Sequence, residues 1–311
     1  MKAMYLGTSI AISWAWGTSL ILGMQIAQTK GIEAFSIWAL ANCFTLFLFG
    51  ALYQRKILKP EVLNQKIVRV FVNLIQIFCL IIQLKILNET FQSFFSPTTS
   101  YLTTALMGIA LTLLMYKKGL AASIFTDLWQ GILTLVILGS MVLYGFSNSV
   151  SSIPLPSSDS NSILWAIWSA CILLSGIMTD LQHWQRASVT KEPIKAFSCA
   201  MGFFFFYLSL VLVLSLFKLD SLMNLLLLVA VIGVTTSTID SIAVALHKDF
   251  GRKYGTLLCL LICVGFGLLV ELSVLSLWSY FGSIRVGLAI YILYWCFTQN
   301  ASKQRTINSS I

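Results

Sequence analysis

Residues 231–250 read VIGVTTSTIDSIAVALHKDF, an apolar run that carries Thr235, Thr236, Ser237, Thr238, Asp240 and Ser241 in one cluster. In a helix Ser237 and Ser241 are four apart and share a face, with Val234 one turn before Ser237. Two hydroxyls and a nearby carbonyl are hard oxygen ligands of the kind that hold Na⁺. Serine and threonine hydroxyls also bond back to the preceding turn of apolar helices, which is the competing use of the same atoms.

A second unusual stretch lies near the N-terminus, where ISWAWGTSLILG places Gly17, Thr18 and Ser19 inside an apolar segment. Glycine weakens a helix, and an unwound turn here would free the carbonyls of Ser13 and Trp16. Irregular backbone at that depth is tolerated where it lines a cavity. A helix-packing face of small residues is the alternative. Ser13 and Ser237 each lie ten or so residues from the inner end of their segment, roughly 15 Å in at helical rise. Both are thus expected near mid-depth.

Asp127 is a carboxylate a short way into another apolar segment, with Gln130 three residues on. An intramembrane acid is costly and marks function, unless it snorkels to the surface beside Lys117 and Lys118. Asp180 and Arg186 are expected to form an ion pair. His183 and His247 fall near segment ends and are expected to be solvated. Gln76 and Gln83 are a heptad apart and can share one inward face. With Gly17, Thr18, Ser19 and Gly176 they are the candidates for contact with a small polar solute. Glu271 has no evident partner in the sequence.

These residues need elements to hold them, and the composition says which. The chain has 311 residues, 58% hydrophobic and 10% charged, with a mean hydropathy of +0.88. A water-soluble domain of this length cannot hide so much apolar surface. The long apolar runs predict an all-α polytopic protein in the lipid bilayer, not a barrel. Ten spans are expected, roughly 3–28, 32–54, 67–87, 98–116, 121–146, 163–184, 196–217, 222–246, 255–278 and 284–298. The first runs too long for a signal peptide and lacks a small-x-small cleavage site.

With a cytoplasmic N-terminus, sixteen of the twenty basic residues fall on the inner side, and Lys30, Lys85, Lys218 and Arg285 fall outside. That bias places both termini in the cytoplasm, in a cell membrane of the bacterial inner-membrane type. The net charge of +9 is spread in short clusters between apolar runs, which argues against a nucleic-acid partner. The seven cysteines lie in or beside apolar segments and read as small buried hydrophobes. No phosphate-binding G-x-x-x-x-G-K-[ST] loop and no nucleophile–base pair occurs in the spans, so no enzyme is expected.

Four stretches together resemble the sodium/solute symporter family. SWAWGTSLILG is similar to its Ala-Ser-x-x-Gly…Gly first core helix. MYKKGLAASIFTDLWQGILTLVILG is similar to the segment ending in Thr-Asp-x-x-Gln. DLQHWQRASVTKEPIKAF is similar to its Gln-Arg-x-x-Ala stretch, and TSTIDSIAV to its Ser-Thr-x-Asp-Ser helix. The chain departs from the pattern at Lys118-Gly119, Ala15, Ala245 and Leu246, and it lacks the family's flanking helices.

The resemblance implies the five-plus-five inverted-repeat (LeuT-type) fold in one transporter domain. Repeat one would cover about 1–148 and repeat two about 160–300, with helices one and six broken. It implies a sodium site made by the carbonyls of Ser13, Trp16 and Val234 and the hydroxyls of Ser237 and Thr238, with Asp127 on the sodium exit path. The function implied is Na⁺-coupled symport of a small polar organic solute by alternating access. The short loops leave open a non-transporting sensor or partner-binding remnant of the same fold.

Overall fold

The computed structural model describes residues 3–269 and 274–308. Among them there is no strand, and a single isolated bridge pairs Ser152 with Phe217. The helices are α1 (Ala3–Trp14), α2 (Gly17–Lys30), α3 (Ile32–Gln54), α4 (Lys66–Gln92), α5 (Pro97–Ser147), α6 (Ser160–Thr179), α7 (Leu181–Ser188), α8 (Pro193–Leu214), α9 (Ser221–Phe250), α10 (Arg252–Gly265) and α11 (Val274–Asn308).

Among the described residues eight helical segments are long and apolar enough to cross a membrane, and a ninth if the bent pair α1–α2 counts as one span. The protein is therefore an all-helical polytopic membrane protein by length and composition. Its lipid-facing surface carries exposed Leu40, Phe44, Leu106, Phe125, Leu143 and Leu164. Such a belt belongs in hydrocarbon and not in water.

Where spans four and five were expected, α5 runs as one helix interrupted at Gly119, which takes φ +65° and ψ −159°. A left-handed φ of this kind favours glycine, which is why one residue suffices to redirect the chain between Pro97–Lys117 and Gly119–Ser147. The ninth expected span, 255–278, is not one helix. It is divided into the 14-residue α10, a 3-10 turn Phe266–Leu269 and the start of α11, which also holds the tenth. Glu271 lies outside the described residues.

Two helices form the centre. The apolar window of α4 is 72% buried inside the protein and that of α9 is 56% buried, against 33% for each limb of α5. The limbs of α5 pack along α9, α1 and α3 flank α8, and α3 and α11 flank α6. Caps set the N-terminal ends of two of these helices. The Asp159 carboxylate accepts from the Ser162 N–H at 2.8 Å and Asp220 accepts from the Met223 N–H at 2.8 Å, each satisfying a first-turn donor. The Ser162 hydroxyl and then its N–H hold Asp159 below the usual carboxylate range.

The cysteines divide. Cys43, Cys79, Cys259, Cys263 and Cys296 are buried as expected, whereas Cys171 and Cys199 lie exposed on the bundle surface. The histidines correct their expectation. His183 is fully buried, and His247 is buried with its Nε2 3.0 Å from the Thr256 hydroxyl. Their position near segment ends misleads because α7 folds inward around His183 and α10 packs back over His247.

Candidate functional site

The first apolar segment is broken at Ala15 and Trp16, and α1 and α2 meet at a 63° bend. Gly17 opens α2 because no side chain fits there. A Cβ on Gly17 would stand 2.5 Å from Thr235 Oγ1 of α9 and 3.0 Å from Ile86 of α4. The break therefore lies directly against the hydroxyl-rich stretch of α9. Its free amide is satisfied from the side: Gly17 N–H donates to Gln83 Oε1 at 3.1 Å. The Trp16 carbonyl accepts from Ser19 N–H at 2.9 Å, and the Ser13 carbonyl accepts from Gln182 Nε2 at 3.4 Å.

A second break separates α6 from α7 at Asp180, which is extended (φ −99°, ψ 107°). Gln76 Nε2 donates to Asp180 Oδ1 at 3.1 Å. Gln76 and Gln83 are both fully buried, and each ties one break to the same face of α4. Asp180 also pairs with Arg285 of α11 at 3.2 Å, and Arg285 donates to Cys79 Sγ at 2.7 Å and stacks 4.9 Å over Trp16. Gly176 admits that guanidinium, since a Cβ there would lie 3.3 Å from Arg285 NH1. The Asp180–Arg186 pair expected from the sequence does not form.

Arg186 instead reaches Asp127 at 2.7 Å, with both side chains fully buried. The network around them is dense. Asp127 accepts from Ser9 at 2.5 Å and from Ser237 at 2.5 Å. Arg186 donates to the Ser9 hydroxyl at 2.9 Å, the Ser241 hydroxyl at 2.8 Å and the Gln182 carbonyl at 3.3 Å. Asp240 accepts from Ser123 at 2.8 Å, Thr126 at 3.0 Å and Ser241 at 3.2 Å. Asp127 thus does not snorkel to the surface. It sits in the interior, against α1, α7 and α9.

The hydroxyls of α9 split between both uses foreseen for them. Thr238 Oγ1 bonds back to the Val234 carbonyl at 3.1 Å and Thr236 Oγ1 to Ile232 at 2.7 Å. Ser237 and Ser241 reach across to the charged network. Thr235 Oγ1, beside Gly17, is buried without a partner.

Sequence reasoning missed Arg285, Asn42 and Ser9 altogether. The charge pattern counts Arg285 on the outer side, at the head of the tenth expected span, although it is only 5% exposed. Its one available signal was a lone charge next to the apolar run that follows it. Lys85, also placed outside, is buried within reach of Glu89 at 3.6 Å.

Two open vestibules approach the breaks from opposite ends. One is lined by Thr18, Ile86 and Glu89 and reaches the first break. The other is lined by Asn73, Leu181 and Trp184 and reaches the second. Between Gln83 and Gln76 lie two turns of α4, roughly 10 Å of packed protein. Beside them a small cavity is walled by Trp14, Trp16, Trp38 and Trp278, with Thr18, Ser19, Asn42 and Arg285 at its edge. Comparison with protein-family models finds no match to this chain, and a search of curated proteins finds no significant relative.

Proposed function

We propose that this protein is a sodium-coupled secondary transporter of a small polar organic solute, working by alternating access between the two vestibules. The observation that carries the reading is a charge imbalance at the centre of the bundle. Asp127 and Asp240 are both buried and face a single guanidinium, Arg186. An uncompensated buried carboxylate is costly, and a bound cation removes the cost.

The hard oxygens that suit Na⁺ stand next to that imbalance. Ser237 donates its proton to Asp127 and keeps its lone pairs free. Thr238 Oγ1 donates to the Val234 carbonyl at 3.1 Å and keeps its own lone pairs free. Gly17 brings the broken turn with the Ser13 and Trp16 carbonyls against the same stretch of α9. On this reading Asp127, bonded to Ser237, draws the ion towards the inner side.

The broken helices support an inverted-repeat bundle in which α1–α2 and α6–α7 are counterparts. The charge pattern supports cytoplasmic termini. Once the buried Arg186, Lys85 and Arg285 are removed from the count, fifteen basic residues remain inside and two, Lys30 and Lys218, outside.

The test is uptake into proteoliposomes of a panel of polar solutes, with an imposed Na⁺ gradient, an imposed pH step, or neither. Uptake that follows the Na⁺ gradient is expected. Uptake that follows only the pH step assigns the imbalance to a proton and overturns the sodium assignment. A folded protein that moves no solute under any gradient leaves the fold to a sensor or partner-binding role.

A further inference from the structure

A cavity of about 290 Å³ lies where three turns of the chain meet: the kink of α5 at Gly119, the end of α7 at Ser188, and the passage from α9 to α10 at Arg252. A Cβ on Gly119 or on Gly251 would meet nothing within 4 Å, so both left-handed glycines turn the chain beside open space. Gly119 separates two membrane-spanning limbs and Gly251 follows the end of a third span. Turns between spans lie at a membrane face. Tyr116 and Tyr254, 40% and 68% exposed, stand beside these turns, as tyrosines do at a lipid–water boundary. The Tyr116 ring meets His247 of the cavity wall edge-on, 6.4 Å between centres.

The charge of this cavity is one-sided. Lys248 and Arg252 line it and no acidic side chain among the described residues does. Neither cation has an ion-pair partner among those residues. Asp249 follows Lys248 directly, but its carboxylate is taken by Arg69 and Asn73 and lines the neighbouring vestibule. The helix that opens here adds to the excess. α10 begins with Arg252 and Lys253, has no acid in its first turn and has no side-chain cap. A helix N-terminus already carries partial positive charge and free N–H groups, so two cations on it are unfavourable unless an anion joins them.

A second polar group points to what the anion carries. Gln185 is 6% exposed and lines the cavity, and its Oε1 is buried without a partner. An amide oxygen accepts, so it calls for a donor beside the anion. The rest of the wall is apolar, with Met115, Leu120, Val189 and Val244. A free inorganic anion gains nothing from such a surface. A phospholipid at the membrane face brings the negative phosphate, a headgroup donor and an apolar body together.

We infer that this cavity binds the headgroup of an anionic, hydroxyl-bearing phospholipid, of which phosphatidylglycerol is the simplest. Its phosphate pairs with Lys248 and Arg252, and a headgroup hydroxyl donates to Gln185. The inference stands apart from the transport reading. Gln185, Ser188 and Lys248 line both this cavity and the vestibule at the second break, so the bound headgroup stands against a wall of that vestibule.

The experiment uses the purified full chain, delipidated in detergent. Thermal melts and lipid retention in native mass spectrometry are compared for phosphatidylglycerol, phosphatidic acid and phosphatidylcholine, with glycerol 3-phosphate and inorganic phosphate as soluble arms. Phosphatidylglycerol is expected to raise the melting temperature and to bind roughly tenfold tighter than phosphatidylcholine. Lys248→Gln with Arg252→Gln is expected to weaken it about thirtyfold. Gln185→Met is expected to weaken it about fivefold while leaving phosphatidic acid, which has no headgroup hydroxyl, unchanged. Arg55→Gln with Lys56→Gln removes the same charge from the exposed α3–α4 connection and is expected to leave the preference intact. An equal loss there assigns the attraction to the whole basic face and overturns the site. Phosphatidylcholine retained as well as phosphatidylglycerol overturns the inference, as does phosphatidylglycerol binding that survives the Lys248–Arg252 double change. Soluble phosphates that stabilise the protein as much as the lipid overturn the lipid assignment. A Gln185→Met protein that holds phosphatidylglycerol as tightly as before overturns the choice of headgroup.

Discussion

Two buried arginine–aspartate pairs lie near the middle of this bundle, and they are built to opposite plans. Around Arg186 and Asp127 every buried side-chain oxygen and nitrogen of Ser9, Ser123, Ser237, Asp240 and Ser241 has a partner. Around Arg285 and Asp180 the partners run out. Asp180 Oδ2, Gln76 Oε1 and Arg285 Nε are buried and unmatched. Polar groups in a finished interior are hydrogen-bonded, and those that are not call for an explanation. The difference teaches that the first pair joins α1, α5, α7 and α9 into one unit, whereas the second leaves hydrogen-bond capacity unused.

The comparison is broken most directly by deleting the two arginines in turn. Arg186→Gln strands Asp127 beside Asp240 and is expected to cost about 3–5 kcal/mol. The readout is the fraction of folded protein after detergent extraction, with recovery when Asp127→Asn is added. Arg285→Gln is expected to cost less stability, because it leaves one buried carboxylate unpaired where Arg186→Gln leaves two, but to abolish solute binding. Equal destabilisation by the two changes would erase the distinction.

Gly176→Ala sharpens the second pair. Its new methyl meets Arg285 NH1 and Trp14, each at 3.3 Å, so both must shift by a few tenths of an ångström. A loss of about 1–3 kcal/mol is expected from the crowding, with a parallel loss of solute affinity. Thermal melts with and without solute separate the two effects.

Ser237→Ala with Thr238→Val probes the α9 hydroxyls beside the first pair. The two changes remove hydroxyls with little change of volume, and each lost contact to a bound cation costs roughly 1.5–3 kcal/mol. Sodium affinity is expected to fall at least tenfold, and Na⁺-induced thermal stabilisation to fall with it. Unchanged Na⁺ stabilisation would separate these hydroxyls from any ion.

The smallest effect is expected at the bundle surface near the start of α4, where Arg69 bonds Asp249 at 2.9 Å and Asn73 joins the same carboxylate. This pair is half-exposed, so Arg69→Ala is expected to change stability by less than about 1 kcal/mol. It is expected to speed labelling of an Asn64→Cys probe in the vestibule lined by Asn73 and Trp184, which measures opening between α4 and α9.

The sequence alone determined that the chain lives in a membrane as a helical bundle, because apolar runs of span length leave no other solution in hydrocarbon. It also singled out the helix break at Gly17, the inward face of Gln76 and Gln83, and the oxygen-rich stretch of α9, since each is a polar or conformational exception within an apolar background. Tertiary structure decided the partners. Asp127, Asp180, Arg186 and Arg285 are four charges whose pairing depends on how α5, α7 and α11 pack, and nothing in their spacing distinguishes Asp180–Arg186 from the pairs that form. The same holds for His183 and Arg285, which read as surface residues until α7 and α11 fold inward and bury them. Local sequence sets which groups are costly to bury. Only the packed bundle decides which opposite charge stands within about 3 Å to offset that cost.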